Sequence, residues 1–142
     1  MSFLEVFDRA AGATKSGGTT RRAAKMVCLD MDHPEIADFI QWKVREEAKA
    51  KALIASGFES DFNGEAYRTV SGQNSNNSVR ITDDFMHAAL GGGTWKTFTR
   101  TTHDVVDTYD AATLWRMIAE SAWACADRLP SCVTGRRISS GR

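Results

Sequence analysis

One stretch constrains this chain more than any other: Lys15–Asp30, with the sequence KSGGTTRRAAKMVCLD. A glycine pair, a threonine pair and an arginine pair come directly before a short apolar run. Gly17 and Gly18 carry no Cβ, so the backbone there can reach positive φ and approach a ligand closely. The run from Ala24 to Leu29 is typical of a buried strand in a sheet covered by helices. The pattern therefore predicts a loop supported by a strand, within an α/β fold.

The side chains of this loop favour an anionic or nucleotide-like ligand. Thr19 and Thr20 offer hydroxyl groups, while the planar guanidinium groups of Arg21 and Arg22 match phosphates or base edges. Short glycine-rich matches are weak signals, and a solvated connection with two surface arginines explains the same composition about equally well. The residues assigned to the predicted loop are Lys15, Ser16, Gly17, Gly18, Thr19, Thr20, Arg21 and Arg22.

Composition limits the classes of protein to consider. The 142 residues suffice for one domain or a piece of a larger one, and eighteen basic residues balance eighteen acidic ones. A neutral chain has no general field for nucleic acid or an anionic membrane, and no apolar run approaches the ~20 residues that span a bilayer. Glu5 and Asp8 stand where an export signal would be basic. Three sparse cysteines without metal-type spacing fit a reducing compartment. We expect a cytoplasmic protein with no nucleic-acid partner, membrane partner or metal site.

Hydrophobic periodicity predicts four helices. The first covers Ser2–Ala13, and its predicted core face is Phe3, Val6, Phe7 and Ala10. A second begins after Asp32 as its cap, with Pro34 and Glu35 in its first turn. Its predicted core stripe is Ile36, Phe39, Ile40 and Val44, and its solvated continuation is Arg45, Glu46, Glu47, Lys49 and Lys51. The other two begin at the predicted caps Thr82 and Asp110. In the last helix Trp115 and Trp123 read as core residues.

The remaining segments read as short strands, loops and a tail. Glu65–Val70 is predicted to be a short strand or extended segment, Val79–Ile81 a brief strand, and Trp95–Arg100 with Val105–Tyr109 a hairpin. Ser71–Ser78 (SGQNSNNS) favours a loop, because Asn and Ser side chains bond to nearby backbone. In a nucleotide-binding protein its amides could contact a ribose or a base, although an ordinary surface loop is the stronger interpretation. The residues proposed for such nucleotide or barrel-loop contacts are Asn74, Asn76, Asn77 and Ser78.

Several long motifs resemble adenosylcobalamin-dependent (class II) ribonucleotide reductases. They are TKSGGTTRRAAKM at residues 14–26, LDMDHPEIADFIQWKVREE at 29–47, SGQNSNNSVRITDDFM at 71–86 and AESAWACAD at 119–127. Several matches in the same order are much more specific than one glycine-rich motif. The resemblance covers residues 1–127, predicted to be a partial reductase barrel domain, and leaves residues 128–142 as an unmatched tail predicted to be disordered and without strands.

The resemblance implies a fold and an activity. The family's fold is a ten-stranded α/β barrel, of which this chain would be a partial segment with helices packed on a few strands. The family reduces ribonucleotides to 2′-deoxyribonucleotides through a cysteine radical generated by adenosylcobalamin. The loop at Lys15–Arg22 would carry information from a deoxynucleoside triphosphate effector to the substrate base. The implied partners are ribonucleotide, effector, the remainder of the reductase chain and, in a dimeric enzyme, a second copy.

The chain also departs from the family pattern. It contains no Asn-x-Cys-x-Glu motif for the radical cysteine, and the family's redox pair is incomplete here, so we assign it no catalytic residue. Cys28 reads as a buried strand thiol rather than a redox cysteine. A truncated or frame-shifted reading frame would produce this pattern, and binding of adenosylcobalamin by this piece alone is not expected. The alternatives are a non-catalytic nucleotide-binding α/β module and a non-functional remnant.

Overall fold

The computed structural model describes residues 2–16, 21–22, 25–61, 64–125 and 133–134. Helices and short strands share these residues, as the predicted α/β class requires, and a ten-stranded barrel stays a prediction. The described helices are α1 (Ser2–Ala13), α2 (Ile36–Ala55), α3 (Glu65–Thr69), α4 (Asp83–Gly91) and α5 (Ala111–Cys125). The described strands are β1 (Lys15–Ser16), β2 (Arg21–Arg22), β3 (Lys25–Asp30), β4 (Ser75–Ile81), β5 (Thr94–Phe98), β6 (Val105–Asp110) and β7 (Val133–Thr134).

The described strands form three small sheets. Two are antiparallel pairs, β1 with β2 and β5 with β6, and the third has the order β3-β4-β7. Lys25 N–H donates to Asn74 C=O, and Met31 N–H donates to Arg80 C=O, so β3 and β4 run in the same direction. Strand β7 is also parallel to β4. Parallel strands need a long connection, which α2 and α3 provide between β3 and β4.

The chain divides into two compact units. Unit 1 comprises Met1–Val27 and Gln41–Asn76, and unit 2 comprises Cys28–Ile40 and Asn77–Arg142. The buried apolar residues of unit 1 are Trp42, Ala50, Ala66 and Val70. Those of unit 2 are Met31, Ile36, Phe39, Ile40, Val79, Ile81, Phe85, Ala111, Leu114 and Ile118. Each unit therefore has apolar residues of its own to bury, and unit 2 has the larger set.

Side-chain caps predicted from the sequence are confirmed at two helices of unit 2. The Thr82 hydroxyl accepts the Phe85 N–H at 3.3 Å at the start of α4. The Asp110 carboxylate accepts the N–H of Thr113 at 2.7 Å at the start of α5. Gly92 ends α4 in the left-handed conformation, with φ of 68°, which suits a residue without Cβ.

The predicted hairpin is also confirmed, and its first strand contributes to the core of unit 2. Strands β5 and β6 pair from Thr94↔Asp110 to Phe98↔Val105, with an irregularity between Lys96 and Phe98. Trp95 of β5 donates its indole N–H to Met31 C=O at 3.1 Å. Its ring meets the Phe85 ring edge-on, with 5.2 Å between the centroids.

Helix α1 has the predicted bounds but not the predicted core face. Phe3 is 79% exposed, and Val6, Phe7 and Ala10 are exposed with it. The fully buried residue of α1 is Asp8, on the face that Leu4 and Ala11 share at helical spacing. The periodicity identified a helix correctly, but it could not tell which face the remainder of unit 1 covers.

Two further predictions of burial are wrong. Trp123 on α5 is 90% exposed and Trp115 is also exposed, whereas the buried face of that helix is Ala111, Leu114 and Ile118. Cys28 is exposed as well. Burial alternates from residue to residue along the first part of β3, and this thiol lies on the more exposed face. The prediction that Cys28 is a buried strand thiol is therefore wrong.

The segment before β4 differs from its prediction. Residues 65–69 form the helix α3 instead of an extended segment. Strand β4 begins at Ser75, so half of the predicted Ser71–Ser78 loop is strand. Short polar segments of this kind have ambiguous local preferences, and pairing with β3 accounts for the strand that begins at Ser75.

Pro34 is predicted to lie in the first turn of α2. The helix instead begins two residues later, at Ile36. Asp32 therefore lies in the preceding turn, where it pairs with Arg100. Ile36, Phe39 and Ile40 are buried as predicted.

In the predicted tail, the structure describes only Val133–Thr134, which form β7 against the prediction of no strand. The other residues of that tail lie outside the described part of the chain.

Candidate functional site

The two described ends of the predicted effector loop pair with each other as short antiparallel strands. Lys15 pairs with Arg22 and Ser16 with Arg21 in an antiparallel ladder of two residues on each side. The predicted residues Gly17, Gly18, Thr19 and Thr20 lie outside the described part of the chain, as do the side chains of the four ladder residues. We call Lys15–Arg22 the hairpin segment. Its assignment as a nucleotide-responsive element stays a prediction.

Asp8 connects α1 to the turn that precedes β4. Its carboxylate accepts the Gly72 N–H at 2.8 Å through one oxygen and the Asn74 N–H at 3.0 Å through the other. The Asn74 side-chain amide donates in turn to the Asp8 carbonyl at 3.2 Å. Asp8 is only 2% exposed. A buried carboxylate is tolerated when hydrogen bonds replace its hydration, as the two N–H groups do here.

Lys25 lies on the other side of the hairpin segment and reaches the same region. Its Nζ donates to the Leu4 carbonyl of α1 at 2.7 Å, and its N–H donates to Asn74 C=O at 3.0 Å. Burial lowers the pKa of Lys25, while the negative charge of Asp8 opposes that shift. Lys25 therefore ties the start of β3 both to α1 and to the residue before β4.

Two more charged side chains hold the Arg68–Ser71 segment. The Arg9 guanidinium donates to the carbonyls of Arg68 and Thr69, the second at 2.9 Å. Glu46 of α2, predicted to be solvated, is instead buried and accepts the Ser71 N–H at 2.8 Å together with a bond from Lys49. Burial raises the pKa of Glu46, but these bonds and the positive charges of Lys49 and Arg9 outweigh it and lower the pKa overall.

Sequence reasoning missed Asp8, Lys25, Arg9 and Glu46 as structural contacts. The signal was present for Glu46, because it lies four residues from buried Trp42 and from buried Ala50 on α2. Asp8 similarly lies four residues from Leu4. A charged residue at a core-facing helical position indicates a buried polar contact, and both residues bind backbone N–H groups of the same turn.

The four residues proposed for nucleotide or barrel-loop contacts lie in different environments. Asn74 is held by Asp8 and Lys25, and its Oδ1 is buried without a hydrogen-bond partner among the described residues. Asn76 is exposed, Asn77 is half-buried and Ser78 is buried on β4. Their contact with a nucleotide stays a prediction. Of the four, Asn74 has the clearest structural role, which is to end the turn that Asp8 binds.

A second polar cluster, within unit 2, lies at the carboxyl ends of the parallel strands β3 and β4. Arg80 pairs with Asp30 at 3.0 Å, and Arg100 pairs with Asp32 at 2.7 Å and with Asp30 at 4.0 Å. Ligands of open α/β sheets often bind at this end of the strands. Here the two arginines are matched by two carboxylates, so the cluster carries no excess charge to attract an anion.

His33 lies in the turn between β3 and α2, beside this cluster. Its Nδ1 accepts the Glu35 N–H at 3.1 Å, which requires a deprotonated Nδ1. Burial and the charge of Arg100 lower the pKa of His33, and the carboxylates of Glu35 and Asp32 oppose them. The neutral imidazole is thus the form that this turn favours.

The lowered pKa of His33 predicts a pH dependence of stability. The unfolded chain binds this proton at higher pH than the folded chain does, so the contribution is complete above about pH 6.5 and is lost as the pH falls towards the folded pKa. We expect the unfolding midpoint of the wild type to drop more between pH 7 and pH 5.5 than that of His33→Gln. Thermal melts across this range measure it. His87→Gln, at an exposed histidine of α4, should keep the wild-type slope.

The described residues include neither a candidate metal site nor a helix able to cross a membrane. They contain no group of three or more His, Cys, Asp or Glu side chains able to hold a metal ion. Within the same residues, every helix is too short or too polar to traverse a bilayer.

Comparison with protein families identifies the class. The family model for the ribonucleotide reductase barrel domain matches residues 1–131. The chain therefore belongs to the ribonucleotide reductase barrel-domain family. The resemblance drawn from the sequence motifs is confirmed, and the match includes the hairpin segment, the Asp8 contacts and β4.

Individual relatives of the chain carry more specific names than the family model does. A protein of Streptomyces coelicolor named vitamin B12-dependent ribonucleotide reductase is 53% identical over 127 residues, which are 89% of this chain and 13% of that protein. One of the same name from Bradyrhizobium diazoefficiens is 36% identical over 195 aligned positions, covering 89% of this chain and 16% of that protein. A vitamin B12-dependent ribonucleoside-diphosphate reductase of Mycobacterium tuberculosis is 30% identical, covering 89% and 15%. The chain thus spans about a seventh of the length of these relatives.

Proposed function

We propose that this chain contributes part of the barrel of a vitamin B12-dependent ribonucleotide reductase, which reduces ribonucleotides to 2′-deoxyribonucleotides by radical chemistry for DNA synthesis. The observation that carries the proposal is the family match over residues 1–131 together with a relative of that name at 53% identity. We assign the radical cysteine and the complete redox pair to parts of the reductase other than this chain. The chain's own contribution is then binding and positioning.

Within that enzyme, the hairpin segment would respond to a deoxynucleoside triphosphate effector. Three cationic residues lie in its two-residue ladder: Lys15, Arg21 and Arg22. Lys15 pairs with Arg22 and Ser16 with Arg21, so the backbones of these cationic residues lie close together. Cationic side chains of this kind suit an anionic phosphate. Contacts on both sides support such a role, because α1 precedes the hairpin segment and Lys25 follows it, and each is hydrogen-bonded to Asn74 or its neighbours. An effector acts through differential contacts with two states of such an element.

The proposal includes the partners implied by the enzyme class. They are a ribonucleotide substrate, the effector, the remainder of the reductase chain and a second copy in a dimer, in the cytoplasm. Adenosylcobalamin would supply the radical initiation when bound to the whole enzyme. We assign none of this chain's residues to holding it, so the cofactor enters the proposal only at the level of the full reductase.

Ligand-induced stabilisation tests the hairpin assignment. A ligand that binds only the folded state stabilises it by about 2.7 kcal/mol at one hundred times its Kd. We expect a saturating deoxynucleoside triphosphate to raise the unfolding midpoint of the 142-residue chain by several degrees, roughly 5 °C or more. Arg21→Ala and Arg22→Ala should each remove most of this shift. Differential scanning fluorimetry with each of the four deoxynucleoside triphosphates measures it.

The matched control removes an arginine elsewhere. Arg116→Ala, at an exposed position of α5, should keep the wild-type shift. A shift that persists in both Arg21→Ala and Arg22→Ala would contradict the assignment of the hairpin segment. The absence of any shift in the wild-type chain would contradict nucleotide binding by this piece of the enzyme.

A further inference from the structure

Asn74 is bonded to the chain on both sides of the hairpin segment. Its N–H and its side-chain amide bind Asp8 of α1, which precedes β1. Its carbonyl accepts the N–H of Lys25, which follows β2. All of these residues belong to unit 1. A displacement of either flank of the hairpin segment therefore acts directly on Asn74.

The connection from α1 to the hairpin segment is short. Helix α1 ends at Ala13, and Thr14 continues its hydrogen bonding by donating its N–H to Ala10 C=O at 3.1 Å. Strand β1 begins at the next residue, Lys15. On the other flank, Lys25 Nζ donates to Leu4 C=O, one helical turn before Asp8. The base of the hairpin segment is thus tied to α1 from both sides.

The turn that Asp8 binds has little freedom of its own. Gly72 has a φ of 81°, which residues with a Cβ adopt only under strain, and its N–H is held by the Asp8 carboxylate. A Cβ on Gly12 of α1 would lie 2.8 Å from the Asn74 Nδ2, so the helix and this amide are in close contact. The backbone of Asn74 leads directly into β4 at Ser75.

We propose that Asp8 is a positioning residue that couples the hairpin segment to the Gly72–Asn76 segment, so that nucleotide bound at the former changes the latter. The coupling rests on the proposed function of the hairpin segment. Asp8 performs it with its two carboxylate oxygens, one on Gly72 and one on Asn74. The Asn74 Oδ1, buried without a partner among the described residues, is the acceptor that a shift of this turn would reorient.

Amide chemical shifts of the 142-residue chain test the coupling. Each of the four deoxynucleoside triphosphates is titrated in turn into ¹⁵N-labelled wild type and Asp8→Asn. Asparagine keeps the size of the side chain, but its NH₂ cannot accept a hydrogen bond, so one of the two N–H contacts is lost. In the wild type, the hairpin amides and those of Gly72, Asn74 and Asn76 should shift together. In Asp8→Asn, we expect hairpin affinity within about threefold of wild type but at least a fivefold smaller response at Gly72–Asn76.

Two further variants separate coupling from folding. Glu5→Gln removes the same charge from an exposed position of α1 and should respond as the wild type does. Gly12→Ala favours the helix by about 1 kcal/mol and places a Cβ against the Asn74 amide. It should therefore fold while also weakening the response at Gly72–Asn76. If Asp8→Asn does not fold, the Gly12→Ala result decides.

The outcomes distinguish the two proposals. A hairpin response in the wild type without any change at Gly72–Asn76 overturns the coupling and leaves the proposed function standing. An undiminished Gly72–Asn76 response in folded Asp8→Asn, or in Gly12→Ala when Asp8→Asn is unfolded, overturns the role of Asp8 in the same way. If none of the four nucleotides shifts the hairpin amides, the proposed function fails and the coupling fails with it.

Discussion

Replacing Phe85 with alanine should destabilise unit 2 by about 3–5 kcal/mol, the usual range for truncating a fully buried phenylalanine. The side chain has no exposed surface, and it follows the cap of α4 by three residues. Its ring also makes the edge-on contact with Trp95. Alanine removes both the buried apolar surface and this aromatic contact and leaves a cavity, so the loss exceeds that of surface burial alone.

Urea unfolding of the 142-residue chain measures this loss, with tryptophan fluorescence as one probe and far-ultraviolet circular dichroism as another. Coincident transitions are required before a free energy is derived from them. The matched control is Phe58→Ala, because Phe58 is 40% exposed and its backbone N–H, which bonds to Leu53, is retained. We expect the control to change stability far less. A Phe85→Ala variant as stable as Phe58→Ala would contradict the described core of unit 2.

The features that sequence predicted well depend on residues close together in the chain. Thr82 and Asp110 bond to N–H groups three residues later, so each cap is specified within one turn of helix. The β5–β6 hairpin similarly joins strands separated by a short turn. The family, in contrast, was predicted from long motifs and not from any local pattern, and the match over residues 1–131 confirms it.

The features that sequence predicted poorly depend on what each face packs against. Periodicity assigned Phe3 and Trp123 to buried faces, whereas both are exposed. The same reasoning left Glu46 in solvent, although a backbone N–H of a turn 25 residues away requires an acceptor there. Such contacts are not encoded in a window of one helix. A charged residue at helical spacing from apolar ones is the usable signal, and it marks Glu46 and Asp8 alike.

In the candidate site, too, the sequence predicted a local feature but not the contacts between distant residues. The glycine and arginine content of the hairpin segment suggested a ligand-responsive element, and the paired backbone of Lys15–Ser16 and Arg21–Arg22 is compatible with one. The contacts that hold its two flanks could not be predicted, because Asp8 and Asn74 are 66 residues apart in sequence. Only the fold brings α1, Lys25 and the turn before β4 into hydrogen-bonding distance.

The second large effect is expected at Asp8, in unit 1. In Asp8→Ala, the N–H groups of Gly72 and Asn74 lose their acceptor in a buried environment. An unsatisfied buried donor costs about 1–3 kcal/mol, so the two together should lower the free energy of unfolding by roughly 2–6 kcal/mol. Alanine is a better helix former than aspartate, and the change would stabilise α1 if these bonds contributed nothing. The direction of the measured change therefore separates the two effects.

Glu5→Ala is the matched control, since it removes a carboxylate from an exposed position on the same helix and introduces the same residue. Its effect should stay within about 0.5 kcal/mol. Urea denaturation of both variants under identical conditions gives the comparison, and amide hydrogen exchange locates the loss. Exchange at Gly72 and Asn74 should accelerate in Asp8→Ala more than in Glu5→Ala, because only the former opens this turn. Equal stability of the two variants would mean that water or another group replaces the carboxylate, and that Asp8 does not hold the turn before β4.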